Sequence, residues 1–242
     1  MNYNNYEMEN YAGSYQGSVT SAFPVLMRKV YVWMTLALII TGITAYGVAS
    51  SPGLLAAIFT NRLLFWGLII AEFGLVIGLS AAINKLSLPM ATLMFILYSV
   101  VNGATMASIF IIYTATSIAS VFLITAGTFA VMALVGYTTK TDLTSLGKML
   151  LFALIGVIIA SLVNTFLIKS TGFELIVSCV CVLIFVGLTA YDAQKIKQML
   201  LMAPDASAQM QKLALLGALS LYLDFINLFL ALLRIFGGKN SD

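Results

Sequence analysis

Apolar residues fall along this chain in seven long blocks, separated by short polar breaks. A run of ~20 apolar residues is what a helix needs to cross a ~30 Å hydrocarbon layer. The pattern predicts spanning helices over 30–48, 63–83, 88–113, 117–137, 149–168, 175–195 and 213–236. Most links are very short, and "TAT" at 114–116 barely turns the chain. Consecutive helices are therefore expected to pack as antiparallel neighbours, with no room for an extramembrane domain. The longest link between the later spans, 196–212, carries Pro204 and two charges read as soluble, Asp205 and Lys212. Ahead of the first block, residues 1–23 are rich in Asn, Tyr, Ser and Gly, with two glutamates and no basic residue. They lack the basic start and apolar run of a signal peptide. The expectation is a disordered polar tail over 1–23 and a transmembrane domain over 24–242.

Composition makes the class explicit. The 242 residues are 61% hydrophobic and 9% charged, whereas soluble domains are about a quarter charged. The fold class is an all-α polytopic membrane protein. A net charge of +3 with no Lys/Arg run gives no reason to expect nucleic acid. Histidine is absent, which removes His-based triads, most zinc sites and haem ligation. "SLGKML" is not a phosphate-cradling loop. No enzyme activity and no cofactor are expected. Cys179 and Cys181 point roughly 200° apart on a helix and read as buried small apolar fillers.

Orientation follows the excess of Lys and Arg on the cytoplasmic side. The amino-terminal side collects eight: Arg28, Lys29, Lys85, Lys140, Lys148, Lys195, Lys197 and Lys212. The other side has four: Arg62, Lys169, Arg234 and Lys239. The amino terminus is expected in the cytoplasm and, with seven spans, the carboxyl terminus outside.

Three of the nine acids lie inside predicted spans: Glu72, Asp192 and Asp224. An ionised side chain at mid-bilayer costs ~3 kcal/mol or more, so each must avoid lipid. Gly217, Ser220, Asp224, Asn227, Ala231 and Arg234 share one face of the last span by the three-and-four step. That small, polar stripe is expected to face inward. Asp192 has two readings: a helix-end pair with Lys195, or a partner for Asp224 across an antiparallel pair of helices. Two carboxylates brought close in low dielectric hold one proton between them and titrate as a unit. Glu72 is either protonated and packed or shares that interior. Asn102, Asn164 and Ser108 read as helix–helix glue. An interior with surplus carboxylate attracts cations and protons. Two or three carboxylates suit transient passage, since a tight calcium site takes about six to eight oxygens.

"GLTAYDAQKIKQM" (187–199) and "LSLYLDFINLFLALLRIFG" (219–237) resemble signature segments of the Bax inhibitor family, the transmembrane Bax-inhibitor-motif proteins, in their bacterial branch. "VYVWMTLALIITGITAY" after Arg28-Lys29 resembles that family's first span. The resemblance implies seven helices with the last surrounded by the other six, in a bacterial inner membrane. It also implies a calcium leak governed by a pH-sensing aspartate pair, which falls on Asp192 and Asp224. The same two would be transient metal contacts for calcium. The family's span-two glutamate falls on Glu72. A span-two arginine that latches onto the aspartates in bacterial relatives falls on Ile83, leaving Lys85 as the substitute gating cation, without bidentate reach.

The expected function is a pH-sensitive calcium leak channel, with Ser220 and Asn227 as pore-facing positions. The expected partners are the bilayer, calcium and protons. The alternative is an interaction protein, such as a modulator of a membrane-bound protease, with structural carboxylates. Further alternatives are a proton-coupled exchanger and an intramembrane aspartyl protease. The protease's Tyr-Asp motif matches Tyr191-Asp192, but its G-x-G-D motif is missing from Leu221-Tyr222-Leu223-Asp224.

Overall fold

The computed structural model describes the backbone of residues 3–240 and the side chains of residues 22–240. The helices are α1 (Tyr3–Ala49), α2 (Pro52–Thr60), α3 (Arg62–Ala82), α4 (Leu88–Met106), α5 (Ile109–Ile112), α6 (Ala115–Thr138), α7 (Thr144–Val163), α8 (Thr171–Leu201) and α9 (Ala208–Phe236). Among the described residues there is no strand, only an isolated bridge between Tyr113 and Lys239. Seven helical segments are long and apolar enough to cross a membrane. The residues read as a disordered tail (1–23) lie for the most part outside the described side chains. Their backbone continues α1 outward from Tyr3. Pro24, which has no N–H for the helix ladder, marks the junction.

Short polar residues set the starts of the helices. Asn61 accepts from the Leu63 and Leu64 amides to cap α3. Ser87, Thr114 and Ser170 cap α4, α6 and α8 by accepting from the amides of Met90, Ser117 and Phe173. Each satisfies an amide that the first turn leaves orphaned. Most span ends fall within a few residues of the predicted ones, but α1 begins well ahead of residue 30 and α8 runs from Thr171 to Leu201. Two elements are additions: α2, packed between α1 and α3, and a single wide turn at Asn164–Ile168 that ends span five.

The last helix occupies the centre. In its most apolar window, 67% of α9 is buried, against 6% for α3 and for α7. The enclosing helices form two tiers. Helices α1, α4, α6 and α8 pack directly on α9, while α3 lies outside on α4 and α7 outside on α8. Small residues permit the closest approaches: a Cβ at Gly136 of α6 would run into the Ala190 carbonyl of α8. Cys181 is half-buried, as befits a filler, but Cys179 is exposed on the outer face. Lys212 also departs from expectation. It is only 6% exposed and donates from Nζ to the Leu86 carbonyl at 2.9 Å. The helices either side consume most of the 196–212 link, so Lys212 lies within α9 and its stem is covered.

Candidate functional site

Helix α9 presents Asp224 in the middle of the bundle, 5% exposed. Asp224 lies within electrostatic reach of Asp192, across the α8–α9 interface. Its Oδ2 is the one fully buried side-chain oxygen or nitrogen, among the described residues, that has no hydrogen-bond partner. Asp192 is half-buried and lies beside Ser220 and Lys195. A cavity of about 230 Å³ opens here, lined by Asp192, Lys195, Gly217, Ser220, Leu223 and, from α3, Ser80. Lys195 does not come within 4.0 Å of Asp192; its Nζ sits 5.6 Å from the centroid of the Tyr191 ring. Beside them, Gln194 pins the α6–α7 loop, accepting from the Leu143 amide and donating to the Thr141 carbonyl.

Of the stripe read along α9, Gly217 and Ser220 line the aspartate cavity. Asn227 does not: its Nδ2 donates to the Leu223 carbonyl of its own helix at 2.8 Å. Arg234 reaches Glu174 at 4.0 Å in an exposed pair, which contributes little. Lys85 is exposed in the turn after α3, and among the described residues no carboxylate lies within 4.0 Å of it.

Glu72 occupies a separate cluster. It is half-buried, accepts from Thr105 Oγ1, and adjoins Asn102 on the same α4 face. Asn102 Oδ1 in turn accepts from the Tyr222 hydroxyl at 2.9 Å. That hydroxyl lies 2.6 Å from Thr41 Oγ1, which donates to the Ser99 carbonyl at 3.0 Å. The peripheral α3 is thus tied through α4 to the central α9 and to α1. The sequence pointed to none of Tyr222, Thr41 or Thr105. The one available signal was the presence of hydroxyls on otherwise apolar helices. Asn102 is glue between helices, as read. Asn164 instead holds its own turn, bonding the Ser170 amide and carbonyl, and Ser108 donates to the Thr105 carbonyl one turn back.

No group of three or more acidic or cysteine ligands converges among the described residues. Asp192 and Asp224 bring only two carboxylates, short of the six to eight oxygens of a tight calcium site.

Residues 24–241 match the family model described as "Inhibitor of apoptosis-promoting Bax1". The chain belongs to the Bax inhibitor family. Similar proteins match most of its length. The "Inner membrane protein YbhL" of Escherichia coli K12 is 53% identical over 215 residues, 88% of this chain and 91% of the relative. A Borreliella burgdorferi protein is 46% identical, covering 89% and 93%. Protein RP147 of Rickettsia prowazekii is 40% identical, covering 89% and 90%. The Bax inhibitor resemblance of the two signature segments thus extends across the bundle. Both aspartates and Glu72 lie inside the matched region.

Proposed function

We propose that this chain is a pH-sensitive calcium leak channel of a bacterial inner membrane. On this reading the amino terminus is cytoplasmic, as the Lys/Arg excess on that side favours. A relative 53% identical carries the name of an inner membrane protein. One observation carries the functional reading: Asp224 Oδ2 is buried at the centre of the bundle without a partner, within electrostatic reach of a second carboxylate. A protein interior leaves a carboxylate oxygen unpaired at a cost of about 1–3 kcal/mol or more. Such a group is retained where a transient partner, a proton or a cation, is part of its work.

The pair takes a single proton more readily than none, because two adjacent charges in low dielectric repel. With the pair ionised, its charge attracts the cation and Lys195 alike. Lys195, one turn along the same helix, is the cation within electrostatic reach of Asp192, whereas Lys85 lies exposed in the turn after α3. Protonation weakens the pull of the pair on Lys195 and so unblocks the cavity, which Ser80 of α3 also borders. On this reading flux is passive; the sequence carries no G-x-x-x-x-G-K-[ST] loop for ATP.

The test is calcium-indicator flux into proteoliposomes across a pH series. Asp224→Asn, which fixes one position in an uncharged form, should flatten the pH response, and Asp192→Asn should do the same. Lys195→Gln should raise flux at neutral pH, whereas Lys85→Gln should leave the curve where it is. A wild-type pH response that survives Asp224→Asn counts decisively against the proposal.

A further inference from the structure

Helices α1 and α6 flank α9 on one side but do not pack closely along their length. They meet at one end, where the Phe23 and Tyr137 rings stack with centroids 6.5 Å apart. Beyond that contact the seam opens into a cavity of about 620 Å³. Met34 and Leu38 form one wall, Ala126 and Ala130 the other, and Phe225 of α9 the floor. A smaller cavity of about 90 Å³ continues it past Leu38, Phe122 and Phe225 towards Ala45 and Ile118. From Met27 to Ala45 on α1 the crevice follows about 27 Å of helix, nearly the ~30 Å of a hydrocarbon core. Its width comes from the two alanines, one helical turn apart. Ala130 and Phe122 are exposed, so the crevice opens sideways, on the flank that meets acyl chains in a spanning bundle.

The mouth at the basic end has different chemistry. Tyr31 and Tyr137 face each other across the seam. Lys197 Nζ donates to the Tyr137 carbonyl at 2.7 Å and lies 4.7 Å from that ring's centroid. Arg28, three residues before Tyr31, and Lys140, three after Tyr137, are both exposed. The nearest acid along the chain, Asp142, is turned onto Thr144 of its own loop. Basic pockets between membrane helices recognise anionic headgroups, and paired phenols suit the headgroup boundary. A volume of this size lies within the roughly 300–1,000 Å³ of ligand pockets.

We propose that the α1–α6 seam is a binding site for an anionic phospholipid. One acyl chain lies in the crevice against Phe225, and the phosphate rests between Tyr31 and Tyr137 under Arg28, Lys140 and Lys197. The occupant comes from the bilayer itself. It contacts the central helix at the residue next to Asp224.

The test uses the full chain in nanodiscs of mixed phosphatidylglycerol and phosphatidylcholine, released into native mass spectrometry. Wild type should keep phosphatidylglycerol in preference to phosphatidylcholine, by about fivefold per basic side chain at the mouth. Lys197→Gln should cut the preference by about fivefold with the crevice intact. Ala130→Phe, which puts a ring into the crevice, should lose both lipids. Ile155→Phe on the exposed flank of α7 (Ile155 is 55% exposed) should behave as wild type. Equal retention of the two headgroups by wild type overturns the proposal, as does unchanged retention in Ala130→Phe or a lipid-free dimer sealed across this seam. Should Ala130→Phe fail to fold, Lys197→Gln decides alone.

Discussion

Two residues apart on α9, Tyr222 and Asp224 point to roughly opposite sides of the helix and sit in opposite kinds of polar environment. The Tyr222 hydroxyl joins Asn102 and Thr41, Thr41 donates to the Ser99 carbonyl, and Glu72 extends the same cluster through Thr105. Every fully buried side-chain oxygen and nitrogen there has a partner. Asp224 has an unpartnered oxygen and a second carboxylate for a neighbour. Low dielectric strengthens a satisfied network and penalises an incomplete one. The first cluster therefore clamps four helices together, while the second stores an unmet demand for a proton or cation. Each cluster holds an acid in an apolar helix, and only the partners distinguish the braced acid from the proposed sensor.

The comparison is most exposed to a change at the brace. Asn102→Ala removes the acceptor of the Tyr222 hydroxyl and a neighbour of Glu72. It should destabilise the bundle by about 1–3 kcal/mol, or nearer ~0.6 kcal/mol if the average for membrane hydrogen bonds holds. Thermal unfolding in detergent measures it, and a melting temperature equal to wild type would show that the network braces nothing. The corresponding change at the sensor should do less. Asp224→Leu replaces an unpartnered carboxylate with a similar apolar volume, so stability should hold or rise by up to ~1 kcal/mol. A loss exceeding that of Asn102→Ala would reverse the assignment of brace and sensor.

The difference between the two clusters was only half legible in the sequence. The inward stripe of α9 is a local property of one helix, so periodicity picked out Gly217, Ser220 and Asp224, and the structure places all three inside. Seven spans were equally plain, because length and hydropathy are local too. Which helix lies at the centre is not local. The central α9 has a mean window hydropathy of 1.9, whereas the outlying α7 reaches 2.5. Lipid demands apolar residues all round, whereas protein neighbours tolerate polar ones. That inversion can be read only once the packing is known. The surroundings of Glu72 depend on which face of α4 meets α3, and those of Asn227 on a choice between a neighbour and its own backbone. Lys212 looked soluble because a link's length is counted before its flanking helices are allowed to extend into it.

The smallest effect belongs to a carboxylate that is well partnered but in water. Asp142 Oδ1 accepts from the Thr144 hydroxyl at 2.6 Å and the Thr144 amide at 2.9 Å, just ahead of α7. These bonds, the hydroxyl's first, hold its carboxyl below the ordinary carboxylate range. A group whose folded pKa is depressed stabilises the protein above its unfolded value, about 3.9, and loses that contribution as pH falls through the lower folded value. Its titration is therefore complete well below neutrality. Asp142→Asn should leave the pH profile of calcium flux superimposable on wild type, with only faster amide exchange at the start of α7. A profile displaced by this change would mean that a solvated surface acid sets the pH response, and the contrast between the two faces of α9 would no longer support the proposed gate.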